Sequence, residues 1–226
     1  MKQLIFCIAF LAAVGVATAQ NAPVGIEEAS DPRATKILNS IKAKYDSYKT
    51  MEARFTLTIE LPESPPEIQK GMIVQKGEKY WLDMGEQAVI CDGKYLWLHL
   101  KRQNEVQIND LEEQEDLEMI SPKDLLKIYE SNQFIYALTN ETFVKGKAVQ
   151  EIEFKPIDKD SDYTKMRLTL EKKSQQVDHL KVFARDGSRY TLKIDQLTPN
   201  KSYADDYFVF DSSKYPGISV EDLRID

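Results

Sequence analysis

The hydrophobic pattern along this chain changes period several times, and each change marks an element. Ile37, Leu38, Ile41, Tyr45 and Tyr48 recur at helical spacing behind Asp31-Pro32. An aspartate followed by a proline suits an N-cap and the first helical position, so the spacing predicts one amphipathic helix from Asp31-Pro32 to about Lys49. From Ala53 the period drops to two: Ala53, Phe55, Leu57, Ile59 and Leu61 alternate with Arg54, Thr56, Thr58 and Glu60. That is the signature of a half-buried strand. Shorter runs follow at Met72 and Val74, at Tyr80, Leu82 and Met84, around Val89, at Leu96, Leu98 and Leu100, and at Val106 and Ile108. The residues between them include Lys76-Gly77 and Asp92-Gly93-Lys94, which predict hairpins in an antiparallel meander.

A helical stretch then interrupts the strands. The acidic segment 110–119 leads into Ser121-Pro122, a second cap-and-proline pair, with Leu125, Leu126 and Tyr129 on one side of the helix that follows. Strand runs resume over 134–138, 149–154, 166–170, 177–183 and, across the Asp186-Gly187 turn, 190–194; an apolar Phe208-Val209-Phe210 run precedes Pro216-Gly217. Ten or eleven strands with one apolar face stand against two or three helices. The expected fold is mainly β with α: a single curved antiparallel sheet forming an incomplete, half-open β-barrel with helices as its lid. A sheet with one dry face must cover it, and the amphipathic helices offer the matching surface. A sheet of that many strands curls around more volume than its own side chains readily fill, which suits a ligand.

The chain ends refine this picture. Lys2, the apolar stretch 4–16 and Ala17-Thr18-Ala19 together describe a secretory signal peptide over residues 1–19, cleaved before Gln20. Residues 20–30 read as a flexible lead and 31–226 as one domain. The composition, 42% hydrophobic and 30% charged over 226 residues, is that of an ordinary globular protein. A formal charge of −7 leaves no electrostatic footprint for a phosphate backbone, so nucleic acid is excluded as a partner. Of two cysteines, Cys7 lies in the signal and Cys91 sits alone in an apolar run, which predicts a small buried hydrophobe.

Catalytic and metal chemistry finds little support. No G-x-S-x-G elbow, S-x-x-K, Walker loop or G-x-G-x-x-G occurs. His99 and His179 lack metal-ligand spacing and read as outward-facing strand residues. Asp158-x-Asp160-x-Asp162 imitates the start of a calcium loop, but the sixth position is Tyr163 and the twelfth Thr169, so a solvated acidic turn is the better reading and no metal is expected. The chain is therefore expected to be neither an enzyme nor a cofactor protein.

Asp92-Gly93-Lys94-Tyr95-Leu96-Trp97 resembles the DGKxLW turn of the periplasmic outer-membrane lipoprotein carriers, the LolA-like family. The surroundings match in order. Ala53-x-Phe55 looks like the family's A-x-F strand, Gly71 with Val74-Gln75-Lys76-Gly77 like its G…VKRP segment, and Tyr80-Trp81-Leu82 takes the place of its F-R-W run. Glu105-Val106, Ser121-Pro122 and Phe208-x-Phe210…Pro216-Gly217-x-x-Val220-x-Asp222-x-Arg224 continue the similarity to the C-terminus. The resemblance implies a periplasmic, monomeric carrier whose apolar cavity takes the acyl chains of lipoproteins. It further implies loading by an inner-membrane ABC transporter and delivery to an outer-membrane receptor. A lipid-sensing regulatory module, or a carrier of another lipid, is the alternative on the same fold. The expected cavity wall is Phe55, Leu57, Ile59, Met72, Val74, Tyr80, Leu82, Met84, Leu96 and Leu98, faced by Leu125, Leu126 and Tyr129 from a helix. A dry core would show the same pattern. Lys76 stands where the family has its lid-latching Arg, without that side chain's planar five-donor fork.

Overall fold

The computed structural model of the chain describes residues 29–111, 130 and 132–224. Helix α1 (Pro32–Asp46) begins where Asp31 caps it, its Oδ1 accepting the Arg33 N–H at 2.8 Å, and buries Ala34, Leu38, Ile41 and Tyr45 along one stripe. It is pinned at both ends. The Asp31 N–H donates to the Tyr136 carbonyl at 2.8 Å, and the Tyr45 hydroxyl accepts the Val177 N–H at 3.2 Å. The helix stops at Asp46, short of Lys49, yet Tyr48 still packs on the core with its ring 5.7 Å from that of Tyr45. Apolar spacing continues past the last helical hydrogen bond because packing, not helicity, selects Tyr48.

Twelve strands among the described residues form one sheet: β1 (Met51–Glu60), β2 (Glu67–Lys76), β3 (Lys79–Asp83), β4 (Gln87–Cys91), β5 (Tyr95–Leu100), β6 (Glu105–Asp110), β7 (Phe134–Val144), β8 (Lys147–Pro156), β9 (Tyr163–Glu171), β10 (Gln176–Ala184), β11 (Arg189–Pro199) and β12 (Ser219–Asp222). Their spatial order is β12-β6-β5-β4-β3-β2-β1-β11-β10-β9-β8-β7. The sheet is not closed, so the molecule is an incomplete curved barrel with a helix as lid. Two meanders meet where β1 pairs with β11, from Met51↔Pro199 to Glu60↔Arg189. Successive strands β6 and β7 lie at opposite sides of the sheet, so residues 111–133 connect one side to the other. Leu125, Leu126 and Tyr129 belong to that connection and lie outside the described residues.

The turns follow from local chemistry. At the first β4–β5 turn residue, Asp92 Oδ1 accepts the N–H groups of both Lys94 and Tyr95 at 2.8 Å, and Gly93 takes a φ of +94°, a left-handed conformation that favours glycine. Two features depart from the antiparallel meander expected. β12 pairs parallel to β6, Ser219↔Glu105 to Asp222↔Ile108, and all four of its residues are exposed, so it carries no alternation to read. The Phe208-Val209-Phe210 run is not a strand; it belongs to a strap of two short 3-10 turns, Asp205–Phe208 and Ser212–Lys214, that leads into β12.

Each face of the sheet has its own core. On the inner face, α1 packs over Phe134, Ile152, Phe154, Met166, Leu168, Leu170, Leu180 and Val182 of β7–β10. Leu192, Ile194 and Leu197 of β11 continue that core into Ala53, Phe55 and Ile73. On the outer face a separate cluster of Ala88, Ile90, Trp97 and Val106 is closed by Phe210 and Tyr215 of the strap.

Candidate functional site

Strand register decides which side chains share the inner face. Directly opposed residues lie on one face, so Ala53↔Ile73, Phe55↔Gly71, Ile73↔Leu82, Leu82↔Val89, Val89↔Leu98 and Cys91↔Leu96 trace a single apolar surface across β1 to β5. Phe55, Leu57, Ile59, Tyr80, Leu82, Met84, Leu96 and Leu98 stand on it. Phe55 and Leu96 are buried; Leu57, Ile59, Tyr80, Leu82, Met84 and Leu98 are only half-buried. Ile73, Val89 and Cys91 share this surface and are not among the expected wall residues. Gly71 matters to it directly, because a Cβ there would lie 2.4 Å from Phe55 Cζ and 2.8 Å from Met84 Sδ. The missing side chain is the seat of the Phe55 ring.

Met72 and Val74 do not belong to this surface. They pair as Arg54↔Met72 and Glu52↔Val74 with the outward positions of β1, and Val74 also opposes Trp81. Their expected place on the cavity wall is corrected, and the cause is simple. Met72-Ile73-Val74 is three apolar residues in a row, which gives no phase, and the phase is set by Ile73 meeting Ala53 and Leu82.

The outer face of the same strands is covered in part by the chain's own strap. Tyr207 sits on Trp81 with ring centroids 5.3 Å apart, and Phe210 stacks on Tyr215 at 5.0 Å and 12°. Lys76 faces outward too. Its Nζ donates to the Tyr203 carbonyl at 3.1 Å and to Asp205 Oδ1 at 2.8 Å, so it ties down the strap rather than a lid over the inner face. The expectation of a lid latch at Lys76 is corrected accordingly. Nearby, Glu52 accepts from Lys201 Nζ at 2.7 Å and from the Tyr203 hydroxyl, and these two donors hold its carboxyl below the usual range.

His99 stands on the outer face as expected, opposite Ala88 and Val106, but it is buried there beneath the strap. It is 3% exposed, with Tyr215 and Phe210 rings edge-on at 4.6 and 5.1 Å, and its Nδ1 has no hydrogen-bond partner among the described residues. Burial first, and Lys101 second, lower its pKa, which keeps the ring neutral. Tyr95-Leu96-Trp97-Leu98-His99-Leu100 is an unbroken apolar and aromatic run, the mark of a strand covered on both faces. His179, half-buried on the outer face, instead keeps a neighbour's carboxylate, Asp178 Oδ2, at 2.7 Å from Nδ1. Cys91 is fully buried, and burial pushes its thiol pKa up, the setting of an inert core thiol. The Asp158 turn closes on itself, Oδ1 accepting the Asp160 N–H at 2.8 Å. Among the described residues no group of three or more His, Cys, Asp or Glu is placed to hold a metal.

What the arrangement offers chemically is an apolar, half-buried surface across β1 to β5. The family model described as "Outer membrane lipoprotein carrier protein LolA" matches residues 46–211. An uncharacterized conserved protein from Thermus thermophilus superposes with a TM-score of 0.55 at 11% identity, covering 85% of this chain and 99% of that one, which shows the shared fold. A LolA superfamily protein from Nitrosomonas europaea gives 0.40 at 11% identity over 78% of this chain and 97% of that one. Lipoprotein LppX of Mycobacterium tuberculosis gives 0.46 at 8% identity over 78% and 100%. No curated protein matches the sequence.

Proposed function

The chain belongs to the LolA family, and from that premise we propose that it is a periplasmic carrier holding lipoprotein acyl chains against the inner face of its sheet. One observation carries this reading. The chain's own strap closes over the outer-face cluster of Ala88, Ile90, Trp97 and Val106, while Leu57, Ile59, Tyr80, Leu82, Met84 and Leu98 of the inner surface, across β1 to β5, stay only half-buried. Half-buried apolar side chains of that number, gathered on one surface, are the lining an apolar ligand requires.

The physics of carriage fits such a wall. Each buried CH₂ is worth about 0.8 kcal/mol, so an acyl anchor carries a gross transfer free energy on the order of tens of kcal/mol. A carrier must nevertheless let go, and smooth apolar walls hold a chain without the directional contacts that would fix it. Residues 1–19 act, in this reading, as the export signal that places the carrier in the periplasm. An inner-membrane ABC transporter would load it and an outer-membrane receptor would unload it, as the family membership suggests.

Leu57→Glu and Leu98→Glu each place a charge where an acyl chain would lie, and burying an unpaired carboxylate is costly. Both variants should lose more than tenfold in affinity for a fluorescent fatty-acyl probe while their circular dichroism stays that of the parent. Binding at parental strength in both would remove the inner face from the reading. Mass spectrometry of lipids and lipoproteins co-purifying from the periplasmic fraction identifies the cargo.

A further inference from the structure

The β7–β8 hairpin ends in an apolar prong. Phe143 is 77% exposed and Val144 50%, next to each other at the tip of an edge strand. Phe143 opposes Ala148 and Val144 opposes Lys147, so the two side chains leave by opposite faces of the hairpin, and the left-handed pair Lys145 and Gly146 closes the turn. The last β8–β9 pair is Val149↔Glu171. The β9–β10 turn still reaches Ala148, where the Lys172 N–H bonds the carbonyl, so residues 144–147 lie beyond that contact, by about 3–7 Å at roughly 3.4 Å per residue.

The prong is collared by positive charge on an acidic protein. Lys145 and Lys147 flank the turn, and the adjoining β9–β10 turn adds Lys172, whose N–H donates to the Ala148 carbonyl at 2.8 Å, and Lys173. Two carboxylates answer these four lysines: Glu171, 2.9 Å from Lys147, and Glu141, 2.9 Å from Lys172. Among the described residues Lys145 and Lys173 make no ion pair. The opposite end of the sheet gives the contrast. There the β1–β2 hairpin also exposes apolar side chains, Leu61 and Ile68, but beside Glu63 and Glu67.

We propose that the β7–β8 tip is a membrane-docking element, inserting Phe143 and Val144 among the headgroups of an anionic phospholipid bilayer with the four lysines at the phosphate level. The reach of the prong falls at the shallow end of the roughly 5–10 Å depth at which interfacial anchors sit. A two-residue point is far smaller than the ~800 Å² per partner of a stable protein interface, which favours a bilayer over a protein groove. Each lysine near an anionic surface adds attraction that salt screens. The inference rests on this hairpin alone and stands apart from the use made of the inner face.

The test is co-sedimentation of the chain, purified as the cell exports it, with vesicles of phosphatidylglycerol and phosphatidylethanolamine and with vesicles of phosphatidylcholine alone. The parent should partition onto the anionic vesicles and release as salt is raised. The double variant Phe143→Asp/Val144→Asp should lose at least tenfold in partition, Lys145→Glu/Lys173→Glu should weaken it on anionic vesicles only, and Phe143→Leu should retain it. All three carry surface changes, and unchanged melting and acyl-probe binding separate this result from any failure of the carrier reading. A parent that ignores anionic vesicles, or an aspartate variant that binds them as the parent does, overturns the proposal; so does binding that requires a membrane protein in the vesicle.

Discussion

At the scale of single residues, two positions concentrate the strain and the opportunity of this molecule. Gly71 leaves the space into which Phe55 packs, so Gly71→Ala must displace the ring or spread β1 from β2. Overpacking of this kind costs roughly 1–3 kcal/mol. The urea midpoint should fall with the slope unchanged, because the surface exposed on unfolding is the same. His99 is the opposite case, a polar ring held where an apolar one would fit. Its folded pKa is lowered below the ordinary 6.5, so the unfolded chain binds the proton more readily. The stability that follows is present above about pH 6.5 and is lost as pH falls below it toward the folded value. His99→Phe should flatten that acid limb and remove the orphaned Nδ1, a gain of roughly 1–3 kcal/mol where the new ring fits. Thermal melts of parent and variant on either side of neutrality check this; parallel acid limbs would show that His99 does not set them.

At the scale of elements, the strap poses a choice between charge and aromatic packing. Lys76 and Asp205 have side chains 37% and 67% exposed, and an ion pair in such solvent is worth at most about 1 kcal/mol. Phe210 is 8% exposed, stacked on Tyr215 and set against His99. Phenylalanine truncation in a core costs about 3 kcal/mol or more. Phe210→Ala should therefore destabilise the protein several times more than Lys76→Ala, as read from urea unfolding. Lys76→Ala should act locally instead, speeding hydrogen exchange at the Tyr207 and Val209 amides without moving the global midpoint by much. Equal costs for the two variants would mean that the ion pair holds the strap as firmly as the aromatic packing does. The helix illustrates the same hierarchy: its Asp31 cap sets where it begins, while the core under Leu38 and Ile41 holds it on the sheet.

At the scale of the whole molecule, an unclosed sheet has a consequence for ligand linkage. Among the described residues, strand pairing joins its two halves through β1 against β11, strands far apart in sequence, so closing the inner face depends on long-range contacts. A ligand bridging that face stabilises the native state by mass action, about 2.7 kcal/mol at a hundredfold excess over its Kd. In the carrier reading the parent's melting temperature should rise with added acyl probe, whereas that of Leu57→Glu should stay level. A ligand-independent melting temperature in the parent would count against the reading as directly as the binding assay.

Much of this protein is legible along the chain because it is local. The period-two alternation of β1, the Asp92-Gly93 turn, and the Asp31-Pro32 start of α1 each depend on a few neighbouring residues, and the family motifs lie in those same pieces. Phase and cover are not local. Met72-Ile73-Val74 offers no alternation, so only pairing with Ala53 and Leu82 turns Met72 and Val74 outward. Lys76 and His99 acquire their partners from a strap more than a hundred residues later, whose aromatic run reads like a strand until the sheet it covers is in place. Side-chain period is a property of the backbone, whereas the choice of which face is dry belongs to surfaces that meet only once the chain has folded.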